Sequence, residues 1–203
     1  MKLEQAARAF ERNGFSVRVF AQAEEVKAAF AEQLRDVREV GFGGSATLRE
    51  LGLDEIARRS GATFHDHWQP GLSRNDEWEI RLRQGRADLF VTSANAATVA
   101  GELLLVDGIG NRLAAAVFGP RHVLFVVGEN KLTDNVEAAR RRVREIAGPQ
   151  RAAQMGVDVP CAKTGVCTDC RSPKRICRGT LIIERPSMGL TATVWLVRGA
   201  YGL

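Results

Sequence analysis

The chain has 203 residues, 45% hydrophobic and 26% charged, the composition of an ordinary globular protein with a core of its own. No apolar run reaches the roughly 18 residues of a membrane-spanning helix, and the charged start MKLEQAARAFERNGF lacks the apolar stretch of a secretory signal, so a cytoplasmic protein with no membrane partner is expected. The net charge of +5 is spread along the chain; its densest run, Arg140-Arg141-Arg142 with Arg144, reads as a solvated helix face, and with few aromatics between the cations no nucleic-acid partner is expected.

Leu3, Ala6, Ala7 and Phe10 are spaced as one helix face, and Gly14 stands where a C-cap glycine belongs. SVRVF (16–20) reads as a strand, and Val26, Ala29, Phe30 and Leu34 give the next helix face. The strand VREVGF (37–42) runs into GGSAT, after which LRELGLDEIARRSG predicts one broken helix or two short ones. ATFHD is a short strand, and Ser73 opens a polar helix through Arg86. DLFVTS (88–93), ELLLVD (102–107) and HVLFVVG (122–128) are strands, with the short helix NRLAAAVFG before the last. Asp134 and Glu137 form a D-x-x-E capping box, opening a helix whose stripe is Val136, Ala139, Val143 and Ile146 and which Gly148-Pro149 ends. TLIIER and TATVWLV, separated by PSMGL, predict an antiparallel pair. Strands alternating with helices imply an α/β fold with an open, mostly parallel sheet flanked by helices. One domain over 1–203 is expected: a core at 1–150, a cysteine-rich segment at 160–178 and C-terminal strands at 180–203.

Four polar loops follow strands, and in open parallel sheets the ligand crevice lies at the strands' C-terminal ends. The first, GFGGSATL, carries Gly43, Gly44, Ser45 and Thr47; glycine lets the backbone approach a ligand and the hydroxyls add donors. TSANAAT adds Ser93 and Asn95, VDGIGNR adds Asp107, Gly110, Asn111 and Arg112, and VGENK adds Asn130 and Lys131. Together they predict a pocket for a small anionic metabolite or nucleotide. Read singly, Ser45 is equally a helix N-cap and Asp107 a turn former. His65 and His67 lack a third ligand in the sequence and read as ordinary surface or core histidines.

All four cysteines fall in CAKTGVCTDCRSPKRIC: Cys161, Cys167, Cys170 and Cys177. In a cytosolic setting such a cluster points to metal, zinc or an iron–sulfur cluster, ahead of disulfides or free thiols. Lys163, Arg171, Lys174 and Arg175 would offset the thiolate charge. The segment follows the α/β core, which places it outside the strand-end cleft.

GGSATLRELGL (43–53), residues 87–131, EAARRRVREIAGP (137–149) and the cysteine run together resemble the LUD-domain family, which includes lactate-utilisation C-type proteins, and in particular its short members with the cysteine segment. The resemblance implies the fold of the NagB/ribose-phosphate isomerase/CoA-transferase group. It also implies an accessory or regulatory role in oxidation of L-lactate to pyruvate beside iron–sulfur subunits, and leaves self-association open. One departure stands out: Val99-Ala100 occupy the place between Thr98 and Gly101 where relatives carry an acidic pair, leaving Glu102 and Asp107 as the carboxylates for a second reading, a stand-alone isomerase- or CoA-transferase-type enzyme. A third reading is a metal-containing module that docks a redox partner.

Overall fold

Apolar strands bounded by glycine and polar turns assemble into two sheets in the computed structural model, which describes residues 2–203. In chain order the strands are Ser16–Phe20 (β1), Glu39–Phe42 (β2), Thr63–His65 (β3), Leu89–Thr92 (β4), Ala96–Thr98 (β5), Leu103–Asp107 (β6), His122–Gly128 (β7), Leu132–Thr133 (β8), Gly179–Ile183 (β9) and Thr191–Val197 (β10). The helices are Lys2–Arg12 (α1), Ala23–Gln33 (α2), Ala46–Glu50 (α3), Leu53–Arg59 (α4), Arg74–Gln84 (α5), Asn111–Val117 (α6), Val136–Arg142 (α7), Gly148–Gln154 (α8) and Pro160–Thr164 (α9). Six strands form a wholly parallel sheet in the order β1-β10-β7-β4-β2-β3. The remaining four form a smaller sheet, β8-β5-β6-β9, in which β6 is antiparallel to both neighbours. Among the described residues no helix is long and apolar enough to cross a membrane.

The large sheet separates two apolar layers. Val123, Phe125 and Val127 of β7 face a core shared with α1 and α6, whereas Leu124 and Val126 face the core under α2 and α4. Trp195 on β10 is fully buried in the second core, edge-on to Phe20 at 5.1 Å and to Phe30 at 6.4 Å. Strands apolar on both faces are what a helix-covered parallel sheet demands.

The C-terminal strands depart from expectation. They do not pair with each other: β9 joins β6 at the edge of the small sheet, and β10 inserts between β1 and β7. The physical reason is burial. Residues 192–197 are buried on both faces, which a strand in an exposed hairpin would not be, while β9 is only partly buried. Two expectations for the helix after β8 are also corrected. The Asp134–Glu137 capping box does not form; Asn135 is the N-cap, accepting from the Ala138 amide at 2.9 Å. Nor does Gly148-Pro149 stop the helix. A π-turn at residues 143–147 carries it into α8, where Pro149 sits in the first turn and its missing N–H is harmless. That extra residue shifts the stripe, so Ala147 is buried in place of Ile146, which is 40% exposed.

Candidate functional site

Loops from both sheets converge at the C-terminal ends of β2, β4, β6 and β7. Gly43 follows β2 and donates to the Val91 carbonyl at 3.0 Å; a Cβ there would stand within 3.0 Å of Phe90, Thr92 and Arg112. A Cβ on Gly44 would meet the Trp68 indole at 2.9 Å, so the glycine pair is imposed by close packing. Ser45 caps α3, its hydroxyl accepting from the Leu48 amide at 3.5 Å. Asp107 organises the loop after β6: it accepts from the amides of Gly108 (2.7 Å), Ile109 (3.2 Å) and Arg112 (3.1 Å) and pairs with the Arg112 guanidinium at 3.4 Å. Gly110 has φ +97°, the left-handed turn that starts α6. The Asn95 side chain accepts from the Val106 amide at 2.8 Å, tying the β4 loop to β6.

At the floor lies Lys131, only 3% exposed. Its ammonium donates to the Thr47 hydroxyl at 2.7 Å, the Ser93 hydroxyl at 3.1 Å and the Ala94 carbonyl at 3.3 Å. Every acceptor is neutral. Burial, reinforced by the Arg142 and Arg112 guanidiniums, brings its pKa down to about 7, with Glu50 acting weakly the other way. Arg142 is itself buried and ties two loops together, donating to the carbonyls of Asn95 at 2.6 Å and Asn130 at 3.2 Å. Arg151 of α8 lies 4.8 Å over the Trp68 ring, and burial and the nearby Arg112 charge push its pKa down. Trp68 is set in place by Asp66, which bonds the Trp68 amide at 3.0 Å, Arg49 at 2.6 Å and Arg58 at 2.7 Å.

These groups line an inner cavity of about 70 Å³ holding Ser45, Thr47, Ser93, Arg112, Lys131 and Arg151. It shares Gly44, Asn95, Arg112, Ala147 and Arg151 with a groove of about 340 Å³ whose outer wall carries Arg81, Lys174 and Arg178. The structure thus brings together most of the residues expected of the pocket, with Asp107 and Asn111 lining the groove. Three do not point into it. Gly43 lies beneath, Gly110 faces a separate surface depression, and Asn130 holds the C-terminal segment, bonding the Gly202 carbonyl at 3.0 Å and the Tyr201 amide at 3.2 Å. Glu102 lies away from the groove lining and accepts from the Thr98 hydroxyl at 2.7 Å. His65 bonds Glu39 at 3.0 Å, while His67, which bonds Gln84 at 3.2 Å, also lines the groove.

Sequence reasoning passed over Trp68, Arg81, Arg142 and Arg151. Arg142 did leave a signal: it is three residues beyond Ala139, on the buried stripe rather than the solvated face assigned to the arginine run. The cysteine segment also needs moving. Residues 173–178 form one wall of the groove, so it borders the cleft rather than standing outside it. All four cysteines are free thiols, and burial together with the other three thiols raises the pKa of Cys161. Among the described residues no group of three or more His, Cys, Asp or Glu is arranged to hold a metal ion.

The sequence matches the family model described as the LUD domain over residues 3–196. No curated protein matches the chain. Among solved structures, a DUF162 family protein from Deinococcus radiodurans is similar to it at a TM-score of 0.54 and 18% identity, with 98% of this chain and 96% of that one covered. The likeness extends to the fold over nearly the whole of both chains.

Proposed function

The chain belongs to the LUD-domain family, and from that premise we propose that it is a lactate-utilisation protein holding a small carboxylate or phosphate anion in the strand-end cleft. Its role would be that of an accessory or regulatory subunit in oxidation of L-lactate to pyruvate. The observation that carries the anion assignment is Lys131: a buried ammonium with neutral acceptors only, facing a cavity that also holds Arg112 and Arg151. A buried cation with no carboxylate in hydrogen-bond contact is costly, and an incoming anion supplies one. The Ser45 and Thr47 hydroxyls and the Arg112 fork suit a carboxylate or phosphate oxygen.

The accessory part of the reading is supported by apolar surface. Trp78 is 54% and Phe118 84% exposed, and with Met188 they line one depression beside Arg86 and Arg121. Exposed large apolar groups gathered on one face mark contact with another protein. Iron–sulfur subunits of lactate oxidation are the partners this reading implies.

Calorimetric titration with L-lactate, pyruvate, inorganic phosphate and ADP tests the assignment. Saturable binding of at least one anion is expected, weakened about tenfold or more by Arg112→Met or Arg151→Met. No binding of any of them, or affinity unchanged in both variants, contradicts it.

A further inference from the structure

The four cysteines come from three places: Cys161 in α9, Cys167 and Cys170 in the loop that follows, and Cys177 just before β9. All four nevertheless line one cavity of about 120 Å³, with apolar walls from Leu104, Val106, Val143 and Pro149. We propose that Cys161, Cys167, Cys170 and Cys177 ligate an iron–sulfur cluster seated in this cavity, and not a single zinc ion.

The room and the charge around the sulfurs favour a cluster over a single ion. One zinc would gather four sulfurs at about 2.3 Å from a common centre. Here all four thiols ring one space of about 120 Å³ with apolar walls. A cluster places its own iron and sulfide between the cysteines, so its thiolates stand further apart around a core that needs room. The loop is held for that purpose by its backbone. Arg175 donates to the Cys170 carbonyl at 2.9 Å and the Cys177 carbonyl at 2.8 Å, and pairs with Asp169 at 2.8 Å. Arg178 in turn donates to the Arg175 carbonyl at 2.9 Å. These bonds fix the turns through carbonyl oxygens and leave the sulfurs for another ligand. Arg140, Arg144 and Arg175 border the cavity and offset the negative charge of a cluster on four thiolates, while the apolar walls limit water.

The site also has a neighbour. Val106, Val143, Gly148, Arg175, Ile176 and Cys177 line both this cavity and the anion groove. The cluster would therefore sit against the wall of the ligand cleft. Its existence does not depend on the anion assignment.

Loading by transfer of a preformed cluster is simple ligand exchange. Each thiol gives up its proton and forms an Fe–S bond, displacing a small thiolate that takes up a proton, and no oxidation state changes. The experiment uses the full-length chain, purified without oxygen, and a synthetic cluster carried by exchangeable thiolates. Iron, inorganic sulfide and zinc are counted per chain, and visible absorption and the electron paramagnetic resonance of the dithionite-reduced sample are recorded. Iron and sulfide in equal amounts, one cluster per chain, with visible charge-transfer bands are expected. Cys167→Ser with Cys170→Ser should lose them while circular dichroism keeps the folded spectrum. No iron taken up, one zinc per chain that the donor does not displace, or full loading of the double variant would each overturn the proposal. If the double variant does not fold, the unsubstituted chain decides alone, because its failure to load is sufficient.

Discussion

At the residue scale the structure turns on Lys131. A lysine whose pKa falls to about 7 on folding is charged in the unfolded chain up to about pH 10, so between these limits the unfolded state binds more protons. Stability of the ligand-free protein should therefore rise with pH from about 7 to about 10, because the penalty of a buried ammonium is fully present below 7 and is relieved as the group loses its proton. Lys131→Met should flatten that slope. In thermal unfolding followed from pH 6 to 10, the gap between variant and wild type should shift in favour of the wild type as pH rises. Parallel pH profiles would show that Lys131 is charged throughout. Asp66 behaves in the opposite way. Burial opposes its ionisation, but Arg49, the Trp68 amide and Arg58 together hold its carboxyl below the ordinary range, so its contribution is lost only in acid.

At the element scale the last strand matters most. Because β10 lies between β1 and β7 and buries Trp195, the large sheet is not closed until residues 191–197 are in place. A chain ending before Thr191 should lose cooperative unfolding altogether, whereas the edge hairpin implied by the turn-like PSMGL would leave a folded core. Circular dichroism during thermal unfolding distinguishes the outcomes; a sharp transition in the shortened chain contradicts this placement. The case shows what was legible in the sequence. Alternation of periods identified most helices and all six strands of the parallel sheet, since each is a local pattern. Pairing is not local: a turn between two strand-like runs says they can meet, and only burial on both faces says that one of them is central. The π-turn was equally hidden, because one extra residue per turn leaves no mark in composition yet exchanges Ile146 for Ala147 at the buried face.

At the scale of the whole molecule, the cleft is a meeting of two sheets. The parallel sheet supplies Ser45, Thr47, Ser93 and Lys131, the small sheet supplies Asp107 and Arg112 through the loop after β6, and the helix after the π-turn supplies Arg151. The strand-end loops were readable because glycine and polar residues recur at the same register after each strand. The residues packed around them were not. Trp68, Arg142 and Arg151 reach the site only through packing of elements distant in the chain, and the cysteine segment reaches it through β9, whose pairing with β6 brings residues 173–178 beside the groove.

In the proposed assignment an anion binds beside a lysine that, with its pKa lowered to about 7, is about half deprotonated at neutral pH when the cleft is empty. Such an anion must restore the ammonium, so binding above pH 7 should take up a proton. Calorimetry of the tightest-binding anion at pH 8, repeated in buffers of different ionisation enthalpy, reads that uptake directly. Net proton uptake on anion binding is expected in the wild type and none in Lys131→Met, with wild-type affinity that falls as pH rises above 7. Binding with no proton uptake, and with equal affinity in Lys131→Met, would contradict it.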